Sequence, residues 1–144
     1  MSPHLAWTAP SGAVGSARGP APYPGGVRVD LHTHSRVSDG TDSPAELVVA
    51  AAARLDVVAL TDHDTTGGWA EAETAAVRHG VALVRGAELS CRAEGVSVHL
   101  LAYLPDPADA DLAAELELSR TSRDTRIRTM VELLAADGHP VTYE

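Results

Sequence analysis

Histidine and aspartate recur at the ends of short apolar runs in this chain, and that placement restricts the fold more than any other feature. Asp30-Leu31-His32-Thr33-His34-Ser35 closes the first run, Ser38-Asp39-Gly40 follows it, and Thr61-Asp62-His63-Asp64 closes the next. In an extended strand residues i and i+2 point to one side, so His32 and His34 can reach a single ion. Carboxylates combined with neutral imidazoles suit divalent first-row metals. The pattern is that of a metalloenzyme, or of the front part of one.

The segments between these clusters read as alternating strands and helices. Residues 27–32 form the first predicted strand. Ser43-Pro44-Ala45-Glu46 then announces a helix, with a Ser N-cap, Pro at the first helical position and Glu three residues after the cap. That helix runs through Leu47, Val48, Ala51 and Leu55. Residues 56–60 are short and mostly apolar, as in a buried parallel strand. A second helix opens at Thr65, passes Trp69, Ala72 and Ala76, and stops at Gly80. Residues 81–85 and 96–103 are the third and fourth strands. Pro105 and Pro107 break the chain before a long helix over residues 109–137, with Gly138 after its end. This order predicts an α/β fold with right-handed crossovers and a largely parallel sheet. In such sheets function collects at the carboxyl ends of the strands. His32 and His34 end the first predicted strand, His63 follows the second and Glu88 the third.

Length and composition set outer bounds. The 144 residues suffice for one domain with a real core. Phe is absent, so the core must be Ala, Val and Leu. Residues 1–26 are rich in Pro, Gly, Ala and Ser without periodicity and are expected to be a disordered tail, Trp7 included. Residues 27–144 are expected to form a single domain. Net charge is −9, from 20 acidic residues against 11 basic ones, all Arg. That balance argues against an extended nucleic-acid surface but leaves room for a local Arg cluster facing a small phosphate. Cys91 is the single cysteine, which excludes an intrachain disulfide and suggests a reducing compartment. No leader-like segment and no apolar run of about 20 residues is found, so no membrane contact and a cytoplasmic location are expected.

The candidate metal ligands are His32, His34, Asp39, His63, Glu88 and His99. His99 lies within its predicted strand, where a buried structural histidine is the competing reading. Asp30, Asp62 and Asp64 neighbour the candidate ligands. They either accept the second ring N–H of a ligating histidine or cap turns. Asp64 is also the candidate catalytic carboxyl. Gly40, Gly67 and Gly68 fit loop geometry. His4, His79 and His139 stand outside any cluster and are expected at the surface. Cys91 is expected to be a small buried side chain rather than a nucleophile.

The pieces quoted above, together with Gly86-Ala87-Glu88-Leu89-Ser90 and His99-Leu100-Leu101-Ala102-Tyr103, closely resemble the PHP (polymerase and histidinol phosphatase) family. The similarity runs from about Val27 to the end of the chain. It is nearest to the phosphoesterases that act on nucleotide phosphates, including nucleoside 3′,5′-bisphosphates, and on short RNA ends. The resemblance implies the N-terminal part of a distorted (βα)7 barrel with two or three Mn, Zn or Fe ions. It implies that His32, His34 and Glu88 serve one ion and that Asp39 and His63 serve a second. Glu88 would bridge, and His99 would help hold a third. It further implies metal-activated water attacking a small phosphorylated substrate. Arg123 and Arg126, on the long helix with Arg120, would bind that phosphate; the alternative is a solvated Arg face paired with Glu117 and Asp124. The family's later motifs, another His and a final Asp-x-His, have no counterpart after His99. The chain is therefore expected to be C-terminally truncated, to bind metal weakly and to be poorly active. The alternatives are a non-catalytic metal-binding or interaction remnant, a polymerase-associated PHP module and, less well matched, a histidinol phosphatase.

Overall fold

A computed structural model describes residues 26–143. The expected tail, with His4 and Trp7, lies outside the described residues. The elements follow in the order β1 (Val29–Thr33), α1 (Pro44–Ala52), β2 (Val57–Leu60), α2 (Trp69–His79), β3 (Ala82–Ala93), β4 (Val96–Tyr103) and α3 (Ala110–Ala136). They build a single four-stranded sheet in the order β1-β2-β3-β4.

The α/β class and the largely parallel sheet are as expected. β1, β2 and β3 are parallel, but β4 returns antiparallel along β3. Only Glu94 and Gly95 join those two strands, and both have positive φ, 50° and 83°. Two residues cannot make a parallel crossover, whereas two positive-φ residues form the tight turn that suits strand twist. β3 also continues to Ala93, so Glu88 lies inside a strand instead of after one. Helix bounds shift modestly. α1 ends before Leu55, and α2 begins at Trp69 because residues 65–68 form a turn.

The start of α1 is set by its sequence. Ser43 Oγ accepts from the Glu46 N–H at 3.2 Å, and the Glu46 carboxyl accepts from the Ser43 N–H at 2.8 Å. Two otherwise orphaned donors are satisfied reciprocally. The core lies between α1, α2 and one face of the sheet. It contains Val48, Ala52, Val58, Leu60, Trp69, Ala72, Ala75, Ala76 and Val81. The alanines let both helices lie close on the strands, and Trp69 fills the remaining space while its Nε1 donates to Gly86 O at 2.9 Å. Burial of each large member stabilises by roughly 1.5–3 kcal/mol.

α3 is different. Its N-cap is sound, with Asp109 accepting from the Asp111 and Leu112 N–H groups. Only Leu116 along its length is buried. Ile127, Met130 and Leu134, which continue its apolar stripe, are exposed. No helix among the described residues is long and apolar enough to cross a membrane.

The hairpin turn provides a clean test of backbone energetics. A Cβ added at Gly95 meets nothing within 4 Å, yet φ there is +83°. Gly95→Ala should therefore destabilise by about 1 kcal/mol through left-handed backbone strain alone. Urea denaturation measures it, and an unshifted midpoint would show that the turn relaxes to another type.

Candidate metal centre

The strand register brings the imidazoles together. Glu88 pairs with Leu101 and Ser90 with His99 across the β3–β4 hairpin. Those four side chains share one face, and His99 is the diagonal neighbour of Glu88. On the other side of β3, His63 bridges to Glu88 in parallel register just past β2. His32, in β1, and His34, directly after it, reach the same point from the far strand.

Glu88 stands at the centre, 4% exposed. Its Oε2 is 2.8 Å from His32 Nε2, 3.0 Å from His34 Nε2 and 3.7 Å from His63 Nε2, and its Oε1 is 2.7 Å from His99 Nδ1. Asp39 lies 2.9 Å from His34 Nδ1 and 3.5 Å from His63 Nε2. Neighbouring rings in the series His32, His34, His63 and His99 have centroids 4.8–5.0 Å apart. The donor atoms fall into three overlapping groups: His32, His34 and Glu88; His34, Asp39 and His63; and His63, Glu88 and His99.

This donor set fits divalent cations. Four protonated rings packed together would repel one another, and four neutral rings gain little by converging on one carboxyl. A cation among them removes both difficulties. His63 adds a second observation. Burial, outweighing the pull of Glu88 and Asp39, holds its ring below the ordinary imidazole range. Its Nδ1 is buried and meets no hydrogen-bond partner among the described residues. A neutral ring retains a lone pair for a metal. Burial works to raise the Glu88 carboxyl, but the His32 hydrogen bond and the charges of His63, His32 and His34 pull it below its usual range. At Asp39 burial likewise opposes, and His34 and His63 prevail.

The loop that delivers Asp39 is built on Asp62. That buried carboxyl accepts from Ser35 N–H and Ser35 Oγ at 2.7 Å, and from Ser38 Oγ at 2.8 Å. Gly40 closes the loop, because a Cβ there would lie 2.3 Å from His34 O. Any side chain would force the backbone apart.

The three neighbouring carboxyls take backbone, hydroxyl and guanidinium donors, so for Asp30 and Asp62 the capping alternative holds over the ring N–H one. Asp30 accepts the backbone N–H of His32 at 3.1 Å, a contact to the main chain and not to an imidazole. Asp62 reaches the histidines only through Ser38, whose Oγ is 3.5 Å from His34 Nδ1. Asp64 binds Ser90 and Arg123. The His99 side chain is 49% exposed, so the buried structural reading of that residue is wrong. Cys91 is exposed, not buried, because β3 runs past the core here. It lines a cleft of about 360 Å³ with Ser90, Arg92, Ser97, Ser119, Ser122, Arg123 and Arg126. In α3, Arg120 pairs with Glu117, while Asp124 pairs with Arg128 and Tyr143 instead of Arg123 or Arg126. His79 and His139 are exposed, as expected. The sequence pattern assigns no role to the serines 35, 38 and 90. Strand alternation from Glu88 points to Ser90, but nothing local marks the other two.

The PHP domain pattern matches residues 30–140. The chain is 46% identical over 113 residues to the 3′,5′-nucleoside bisphosphate phosphatase of Chromobacterium violaceum, covering 78% of this chain and 40% of that protein. It is 38% identical over 118 residues to the 5′-3′ exoribonuclease of Haemophilus influenzae, covering 81% of this chain and 43% of the relative. A crystal structure from Bifidobacterium adolescentis, described as a metal-dependent phosphoesterase, superposes with a TM-score of 0.76 at 40% identity, over 80% of this chain and 40% of that one. The chain thus spans about 40% of the length of these relatives. The pattern match over residues 30–140 and the superposition on a solved relative together establish that this chain belongs to the PHP domain family.

Proposed function

We propose that this chain acts in the hydrolysis of small phosphate esters, nucleoside bisphosphates and RNA ends among them, at two or three divalent ions (Mn, Zn or Fe). His32, His34, Asp39, His63, Glu88 and His99 would hold them. The observation that carries this reading is the convergence of four imidazoles on the Glu88 carboxyl. When bound, such ions supply Lewis acidity toward a phosphoryl oxygen and hydroxide at neutral pH.

Residues of this chain would also balance the charge and meet the phosphate. Glu88 and Asp39 provide the negative charge that balances the cations, and both carboxyls are held on the charged side of their equilibrium. Burial keeps His63 neutral. Arg123 and Arg126 face the adjoining cleft, where planar guanidinium groups suit phosphate oxygens. The local cluster of Arg92, Arg123 and Arg126 in a chain of net charge −9 favours a compact phosphate over a long nucleic-acid backbone.

The test is turnover of a nucleoside 3′,5′-bisphosphate and of a 5′-phosphorylated oligoribonucleotide with added Mn²⁺, for the wild-type chain and for His32→Ala/His34→Ala. The double variant should lose at least about 100-fold in turnover and keep its circular dichroism spectrum. Loss of fold with no turnover in either protein would instead mark a structural metal site, where metal binding is folding free energy.

A further inference from the structure

We propose that Asp64 is a positioning residue: it holds the Arg123 guanidinium against the sheet so that α3 forms one wall of an anion-binding cleft. This rests on the phosphate reading of that cleft and assigns the device that shapes it. Asp64 is 1% exposed, and both carboxyl oxygens are engaged. Oδ1 accepts the Ser90 N–H at 2.7 Å, while Oδ2 accepts Ser90 Oγ at 2.7 Å and Arg123 Nη2 at 2.5 Å. A carboxyl so enclosed has no face to offer a reacting water, which argues against an acid or base role.

The backbone supports the same conclusion. Asp64 has φ of +52°, a conformation that most residues avoid, and its N–H donates to Glu88 O at 3.0 Å. In that conformation the carboxyl meets Ser90 and Arg123 of α3. Arg123 Nη2 also donates to Ser90 Oγ at 2.7 Å. A guanidinium has five N–H donors. With Nη2 committed, Nε and Nη1 carry the remaining ones, and the side chain is 29% exposed in the cleft wall. α3 buries only Leu116, so it has little apolar packing to hold it in place. Fixing the guanidinium in advance spares an incoming anion the entropy of ordering it.

Cys91, the chain's single cysteine, is exposed in the same cleft and supplies a readout independent of turnover. Inorganic phosphate should slow its alkylation by a maleimide in the Mn²⁺-loaded wild-type chain. Asp64→Asn is the informative variant, because Asn tolerates positive φ. It should raise the phosphate concentration for half-protection about tenfold, the scale of one charge-assisted hydrogen bond, with Mn²⁺ affinity unchanged within about twofold. Arg123→Lys should show a similar shift, and the double variant no more than Arg123→Lys alone. A merely structural Asp64 would give additive shifts. Unaltered half-protection in Asp64→Asn, additive shifts, or loss of Mn²⁺ binding would each overturn the proposal. If phosphate leaves Cys91 of the wild-type chain unprotected, the phosphate reading fails and amide exchange of α3 decides the clamp. Faster exchange in Asp64→Asn sustains it, and unchanged exchange overturns it. Should Asp64→Asn not fold, Ser90→Ala and Arg123→Lys form the equivalent cycle: non-additive shifts sustain the clamp, and additive ones overturn it.

Discussion

Glu88→Gln should lower the affinity of this chain for Mn²⁺ or Zn²⁺ by at least about 100-fold. Changing a group that only supports a ligand typically reduces affinity 10–100-fold, and a group within the donor set should exceed that. Glu88 belongs to two of the three donor groups, and four imidazole nitrogens lie within 3.7 Å of its oxygens. Gln keeps the size and one acceptor oxygen but removes the negative charge. It also turns an amide NH₂ toward ring nitrogens that, as metal ligands, carry no proton on the bonding side. The loss should therefore be electrostatic and coordinative, with little change in packing around a side chain that is 4% exposed. Titration calorimetry with each metal measures it. Glu132→Gln, on the exposed part of α3, serves as the control and should bind as wild type does. Affinity of Glu88→Gln within threefold of wild type would mean that the histidine cluster does not use this carboxyl.

Much of this arrangement is legible in the sequence because it depends on periodicity and local chemistry. The two-residue spacing of His32, in β1, and His34, directly after it, sends both rings toward Glu88. The capping box at Ser43 and Glu46 fixes the start of α1. Apolar runs that end in His and Asp mark the strand ends where the cluster forms. The direction of β4 is equally local, since Glu94-Gly95 is a turn sequence. Other features are not local. That Asp62 would serve Ser35 and Ser38 instead of a ring depends on how the loop after β1 folds over β2, a contact 24–27 residues away in sequence. That Asp64 would meet Arg123 depends on a contact spanning 59 residues. The exposure of Cys91 follows from β3 outrunning its core, which no pattern in residues 81–93 announces. Short-range chemistry thus identified the groups that converge on Glu88, whereas the carboxyls that orient them needed the tertiary structure.

Asp62→Ala should destabilise the fold by roughly 3–5 kcal/mol, because it leaves buried donors without an acceptor. Ser35 N–H, Ser35 Oγ and Ser38 Oγ all direct their hydrogens at this one carboxyl, and Ser35 is itself fully buried. The loop is tied together further along, since Ser35 O accepts from the Ser38 and Gly40 N–H groups. Releasing Ser35 should therefore loosen the whole segment up to Asp39. Asp62→Asn should recover more than half of the loss. Its carbonyl oxygen can still accept the Ser35 N–H, and the serine hydroxyls can rotate to accept from its amide. Ser38→Ala, which removes one donor along with its bond, should cost only about 1 kcal/mol. Urea denaturation of the metal-free proteins separates these three values from any effect on metal binding. A loss below 1 kcal/mol for Asp62→Ala would show that the loop stands without this carboxyl. Equal losses for Asn and Ala would show that its charge, and not its hydrogen-bonding geometry, holds Asp39 in place.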